Sequence, residues 1–445
     1  MKRKLLQELL NWIDKPRRKP LILRGARQTG KTYIIRQLAE ASSRKLIEIN
    51  FERNPEISEL FKSNNPKKII SDLELLLNIE IDFEECLLFL DEVQDAAFIL
   101  EKLRWFYEET PELPVVCAGS LLEFALEDFN ESLPVGRVTY MYLHPFSFIE
   151  FLWAVGEQKL ASYLEDVRIN LEMPEAIHNR CIELFRLYCI VGGMPDSINE
   201  WVQSKNLSSC IKIQKDIVVS YRDDFNKYRK GVAPDVMRNT MDSIPYQMGH
   251  NFVYSTVNRE EKYQTIKNAL DKLSKAGICK RIYHSSGNGI PLGAEKNDRI
   301  FKALFLDCGL ALSILGLLPI SIEQLENIIW SDKGAFAEQV SGQLLYSKHS
   351  IDDDDLFFWQ QTGSGNGEID YLIQKDNEVL PVEVKSGVAG SMKSLNSFME
   401  SKKLKTAIRL DLNKPSIQEV SVKTNQGKAV SYKLISLPLY MAELL

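Results

Sequence analysis

Leu21-Ile22-Leu23-Arg24-Gly25-Ala26-Arg27-Gln28-Thr29-Gly30-Lys31-Thr32 is a short apolar run that passes into the pattern G-x-x-x-x-G-K-[ST]. In that pattern a glycine-rich loop turns its backbone N–H groups toward the phosphates of a nucleotide. Leu21 to Leu23 predict a buried strand, and Lys31, Tyr33, Ile34, Ile35 and Leu38 predict the helix the motif requires after it. Phosphate would sit at the helix N-terminus, where orphan N–H donors and the positive end of the helix dipole face it. Gly25, Ala26, Arg27, Gln28, Thr29 and Gly30 form the cradle, Lys31 reaches the β- and γ-phosphates, and Thr32 ligates Mg²⁺.

A second stretch turns the motif into half of a site. Cys86-Leu87-Leu88-Phe89-Leu90 predicts a strand buried on both faces of a parallel sheet, and it ends in Asp91-Glu92. This is a Walker B pattern, with Asp91 for the magnesium and Glu92 to polarise the water that attacks the γ-phosphate. Ligands of open α/β sheets bind beyond the carboxyl ends of the strands, where both acids fall. A third strand, Pro114 to Gly119, ends at Ser120. Ser120 is placed either as a sensor of the γ-phosphate or as the N-cap of a helix over Leu121 to Ala125, and both roles can hold together. Arg137 is a candidate source of positive charge at a γ-phosphate, in its own chain or in a neighbouring subunit, against the reading of a plain surface residue.

Composition sets the frame. At 445 residues the chain is expected to form two to four domains, and 44% apolar with 26% charged residues is the balance of a water-soluble fold. No window reaches the ~18 uninterrupted apolar residues of a membrane span. Seven cysteines, without a C-x-x-C pair and mostly inside apolar runs, predict buried free thiols in a reducing cytoplasm. A net charge of −6 excludes a wholly basic nucleic-acid coat but leaves room for a local basic groove.

Leu5, Leu6, Leu9, Leu10 and Ile13 share one helical face, ended by Asp14-Lys15-Pro16. From Leu152 to about Asn239 the periodicity is helical, broken by a turn at Gly192-Gly193-Met194-Pro195. Glu260 to Gly277 predicts a helix with Gly277 as its C′ cap, followed by a strand from Ile278 to His284 and a glycine-rich turn. Helix then hairpin suggests a winged helix. Lys267, Lys272 and Lys275 fit either nucleic-acid contact or a solvated face.

After Gly334 a second chemical constellation appears. A helix from Ala335 to Leu345 carries Glu338, Leu356 to Gln360 predicts a strand, and then come Glu368-Ile369-Asp370 and Val382-Glu383-Val384-Lys385 on two further strands. Adjacent antiparallel strands would put Asp370, Glu383 and Lys385 on one face, because residues two apart point the same way. Asp370 and Glu383 would ligate Mg²⁺, Lys385 would position or acidify the attacking water, and Glu338 could complete a site for phosphodiester cleavage. The competing reading is the polar face of an antiparallel sheet, or a site that binds without cleaving.

Together LRGARQTGKT, LLFLDEVQD, CAGSLLEF, GRVTYMYLHPFSFIEF, IVGGMP, LFLDCGL and EIDYLI with LPVEVKSG resemble the prokaryotic AAA-superfamily P-loop ATPases that carry a C-terminal PD-(D/E)xK nuclease-like domain of unknown function. The resemblance implies an α/β fold: a P-loop AAA-type parallel sheet over 1–160, a helical lid over 161–240, a winged-helix-like unit over 241–330 and a restriction-endonuclease-like α/β domain over 331–445. Ile369 departs from it, standing where many such nucleases have proline. The resulting expectation is a cytoplasmic ATPase that uses ATP and Mg²⁺, forms a homo-oligomer, meets no membrane and acts on DNA through its C-terminal domain. The alternative is a nucleotide-dependent binding switch. A GTPase or kinase on the same loop is disfavoured, since nothing like N-K-x-D follows the Walker B strand.

Overall fold

The computed structural model describes residues 1–119, 136–166, 173–226, 232–317, 334–348, 356–361, 367–387, 392–424 and 427–445. Two sheets organise the chain. The first contains β1 (Leu21–Arg24), β2 (Lys45–Asn50), β3 (Cys86–Asp91), β4 (Val115–Ala118) and β5 (Thr139–Tyr142), in the order β2-β3-β4-β1-β5 with every pair parallel.

The strand period of two decides which residue faces which layer, even where a strand is buried throughout. Leu21, Leu23, Leu87, Phe89, Val116 and Ala118 pack on one face against the helices Leu5–Ile13 and Lys31–Ala41. Ile22, Leu88, Leu90, Val115 and Cys117 pack on the other against Pro66–Leu77 and Ile99–Glu109. The amphipathic first helix thus lies beside the first strand, as its leucine spacing predicts.

The second sheet is mixed and has eight strands: β6 (Cys279–Ser285), β7 (Lys296–Phe305), β8 (Leu356–Gln360), β9 (Glu368–Lys375), β10 (Glu378–Val384), β11 (Thr406–Asp411), β12 (Ser416–Lys423) and β13 (Ala429–Pro438). Their order is β12-β13-β11-β10-β9-β8-β6-β7. Helix 263–275 does lead into the antiparallel hairpin β6–β7. That hairpin, which the sequence sets within 241–330, is hydrogen-bonded through β6 to β8 and so belongs to the same sheet as the strands of 331–445.

Between the sheets lie the helices Phe148–Ala154, Gln158–Asp166, Glu175–Val191, Pro195–Ser204, Leu207–Asp224, Pro234–Tyr246 and Tyr263–Lys275. One apolar core joins them to the helix Ala335–Ser347 and to the end of the chain at Leu439 to Leu445. The IVGGMP and LFLDCGL stretches meet here. Buried Asp307 accepts from Gly193 N at 2.6 Å and from Leu310 N at 3.0 Å, so it caps the helix Cys308–Leu315 and pins the glycine turn to it. All seven cysteines are buried and free. Among the described residues no helix is long and apolar enough to cross a membrane.

Candidate functional site

The loop after β1 begins at Gly25, with φ 145°, and a Cβ there would collide with the carbonyl oxygen of Leu143. Glycine is therefore dictated by the close approach of β5's exit. Gly30 caps the helix Lys31–Ala41 with no side-chain acceptor, which leaves the first-turn amides for an anion. Lys31 is buried and lies back across the loop, its Nζ donating to the carbonyls of Gly25 at 2.9 Å and Ala26 at 3.0 Å. Burial lowers its pKa to about 8 against the pull of Glu92 and Asp91.

The sheet order brings the second half of the site alongside. Thr32 Oγ1 donates to Asp91 Oδ2 at 3.1 Å, and Asn50 Nδ2 approaches the same oxygen at 3.4 Å. Burial first, and the neighbouring Glu92 second, raise the Asp91 pKa. A hydroxyl and a carboxylate converging here are the hard oxygen donors that suit Mg²⁺. Glu92 directly follows β3 in a left-handed conformation, φ 51°, and accepts from Gln94 Nε2 at 2.6 Å. Gln28 in the loop has φ 63°. Non-glycine residues held in this region of conformational space concentrate at ligand clamps.

Arg137 does not join this group. Leu21 pairs with Thr139 and Arg24 with Tyr142, so Arg137 lies at the amino-terminal edge of the sheet while the P-loop leaves from the carboxyl edge. Its side chain is 43% exposed and pairs with Glu108 at 2.9 Å. Within its own chain this placement sets Arg137 at the opposite edge of the sheet from the P-loop. Ser120 and the segment Leu121 to Ala125 lie outside the described residues.

Other parts of the chain close over the loop. Arg3 donates to Thr29 O at 3.1 Å and to Glu150 at 3.1 Å, Tyr221 OH donates to Arg27 O at 2.6 Å, and the Arg27 guanidinium pairs with Asp224. Gly277 lies against Ala26. Beside Gly25 and Ala26 opens a cavity of about 170 Å³, walled also by Arg24, Tyr142, Lys275 and Tyr346.

Of the C-terminal constellation, Asp370 and Glu338 come together, while Glu383, expected as a metal ligand, lies outside the group of carboxylates within reach of one cation. β9 and β10 are antiparallel neighbours paired as far as Val382 opposite Tyr371, next to Glu383 and Asp370, and Asp370 Oδ2 accepts from Val384 N at 2.7 Å. Glu338, Glu368 and Asp370 each offer a carboxylate oxygen within 4.8 Å of the others. Glu383 accepts from Lys385 Nζ at 2.5 Å, while its Oε2 is buried without a hydrogen-bond partner. Burial raises the pKa of Glu383 to about 8 and of Glu338 to about 7, and raises that of Asp370. Three hard carboxylates in reach of one point are a donor set suited to a divalent cation.

Two members escape the sequence. Glu368 carries a usable signal, since it is two residues before Asp370 and shares its strand face. Lys302 carries none: it comes from β7, its Nζ donates to Glu338 Oε1 at 2.6 Å and also pairs with Glu368. Burial disfavours its charge, yet Glu338, Asp370 and Glu368 together hold its pKa above the ordinary lysine range.

Residues 17–152 match the family described as AAA domain, residues 182–321 a domain of unknown function (DUF8612) and residues 333–439 a domain of unknown function (DUF4143). No curated protein matches the chain. Among solved structures it is similar to PCH-2 from C. elegans, at 14% identity over 46% of this chain and 64% of that one, TM-score 0.28. It is also similar to the STAND protein with a tetratricopeptide repeat sensor, PH0952 from Pyrococcus horikoshii, at 12% identity over 78% of this chain and 48% of that one, TM-score 0.27. The chain spans less than two thirds of either. The AAA match falls on the parallel sheet and its P-loop.

Proposed function

We propose that the chain is a Mg²⁺-dependent AAA-type ATPase, hydrolysing ATP to ADP and phosphate, whose nucleotide state governs a nuclease-like C-terminal site acting on DNA. The observation that carries the ATPase reading is the 3.1 Å contact between Thr32 and Asp91, which joins the two halves of the motif. Loop amides and Lys31 hold the phosphates, with Lys31 leaving its two loop carbonyls to do so. Glu92 releases Gln94 and accepts the proton side of the attacking water. Thr32 and Asp91 would hold Mg²⁺, which when bound spreads the charge of the β- and γ-phosphate oxygens.

At the other end Glu338, Glu368 and Asp370 would hold a divalent cation, which when bound supplies Lewis acidity at a phosphodiester. Glu383 and Lys385, paired at 2.5 Å, orient the attacking water. A second reading, a nucleotide-dependent binding switch without cleavage, is favoured by Lys302 standing among those carboxylates. Purified protein assayed with Mg²⁺ and ATP tests the first half, and hydrolysis that persists in Lys31→Ala defeats it. Incubation of single- and double-stranded DNA with Mg²⁺ or Mn²⁺ separates the two readings of the second half. Cleavage lost in Asp370→Ala and Lys385→Ala supports the nuclease, whereas binding without cleavage supports the switch.

A further inference from the structure

Lys302 is the least expected member of the C-terminal cluster. It is 4% exposed, and its ammonium touches Glu338 at 2.6 Å and Glu368 as well, two of the three carboxylates that converge on one point. A divalent cation would need those same oxygens at roughly 2.0–2.6 Å. An ammonium and a metal ion cannot both draw on them at that range without placing like charges a few ångströms apart.

We propose that Lys302 is a tethered competitor for the metal: its ammonium holds Glu338 and Glu368 in a resting arrangement and must withdraw before a divalent cation binds. This rests on the reading of the carboxylates as metal ligands. The lysine is well placed to be moved. In the same strand, Leu304 and Phe305 wall the cavity whose far side is Gly25 and Ala26 of the P-loop. The helix that carries Glu338 reaches the same cavity with Gln343 and Tyr346. Strand and helix are bolted together, Gln339 accepting from Phe305 N at 3.0 Å and donating to its carbonyl at 2.9 Å. Both partners of the Lys302–Glu338 ion pair are thus carried by elements that wall the same cavity as Gly25 and Ala26. Because strand and helix stay joined, Lys302 withdraws through its own long side chain rather than through a shift of β7.

The test is a Mn²⁺ titration followed by calorimetry, in full-length protein carrying Asp91→Asn so that the P-loop does not contribute a metal site. Against this parent, Lys302→Met should bind Mn²⁺ about 10- to 100-fold more tightly, and a further Asp370→Asn should abolish the gain. A merely structural lysine gives the opposite, weaker binding on removal. Equal or weaker affinity in Lys302→Met overturns the competitor and leaves the metal site standing. Absence of Mn²⁺ binding in parent and variant alike overturns both readings. If the variant does not fold, a crystal of the native chain soaked with Mn²⁺ decides. Lys302 Nζ should have left Glu338 and Glu368, and a metal bound with the lysine still in place defeats the proposal.

Discussion

Thr32 and Asp91 are 59 residues apart in sequence and 3.1 Å apart in space, joined by a hydrogen bond from the hydroxyl to Oδ2. The contact exists because β3 and β1 lie on either side of β4, with all three strands ending on the same edge. It converts two separate motifs into one place where a phosphate and a cation can be held.

Glu92 and Lys31 should fail in different ways. Glu92→Gln keeps the shape of the site and its neighbour Gln94, so ATP binding should persist while turnover falls about 10²–10³-fold, the loss typical of one preorganised polar group. Lys31→Ala removes the charge that meets the phosphates and should weaken ATP binding as well as turnover. Equilibrium binding of a fluorescent ATP analogue, set beside phosphate-release rates, separates the two.

How much of this was legible follows from how local each signal is. The P-loop, its strand and helix, and the Asp91-Glu92 exit could be read because glycine, lysine and acid positions are fixed by backbone and phosphate geometry within a dozen residues. Asp370 and Glu383 could be read because alternation along a strand fixes a face. Arg137 could not be placed, since its distance from the loop depends on strand register and direction, which a short stretch does not encode. Lys302 was invisible for a stronger reason: its role exists only because β6 pairs with β8, a long-range choice that put the hairpin into the C-terminal sheet. The motifs IVGGMP and LFLDCGL were recognised as signatures, and their content is structural, an aspartate capping one helix while holding a glycine turn.

Gly277 ties the middle of the chain to the P-loop. The helix Tyr263–Lys275 ends in a Schellman arrangement, Ile278 N donating to Leu273 O at 3.0 Å and Gly277 N to Ser274 O at 3.0 Å, with Gly277 at φ 73°. A Cβ there would come within 3.3 Å of Ala26 N. Gly277→Ala should cost about 1–2 kcal/mol and weaken nucleotide binding. Asparagine tolerates the left-handed region, so Gly277→Asn should recover stability in thermal unfolding. It should not recover affinity, because its Cβ still crowds the loop.

Asp307 should be a stability residue without a catalytic signature. It is fully buried, and Gly193 N, Leu310 N and Gln343 Nε2 all donate to it. Asp307→Ala leaves two backbone donors buried and uncaps a helix, a loss of about 3 kcal/mol. Asp307→Asn keeps one acceptor and should lose less. Chemical denaturation measures both, and a catalytic defect in a variant that remains fully folded would contradict this assignment.

The carboxylates of the C-terminal cluster give the protein a pH dependence of definite sign. Unfolded glutamate titrates near 4.3, whereas burial raises Glu338 to about 7 and Glu383 to about 8, and also raises Asp370. Between roughly pH 4.5 and 8 the native state therefore binds more protons than the unfolded state, and stability falls as pH rises. Lys302, held above the ordinary lysine range, adds a stabilisation that is constant across this window, because it is lost only above the unfolded lysine value. Lys31, lowered to about 8, contributes a rise only above that pH. Divalent cations reverse the trend, since their ligands must be deprotonated and binding releases protons. Thermal unfolding from pH 5.5 to 8 should thus fall in metal-free buffer and flatten or rise with Mn²⁺, and Glu383→Gln should reduce the metal-free slope. A slope that is flat in native protein, or unchanged in Glu383→Gln, would show that these carboxylates ionise as ordinary surface acids.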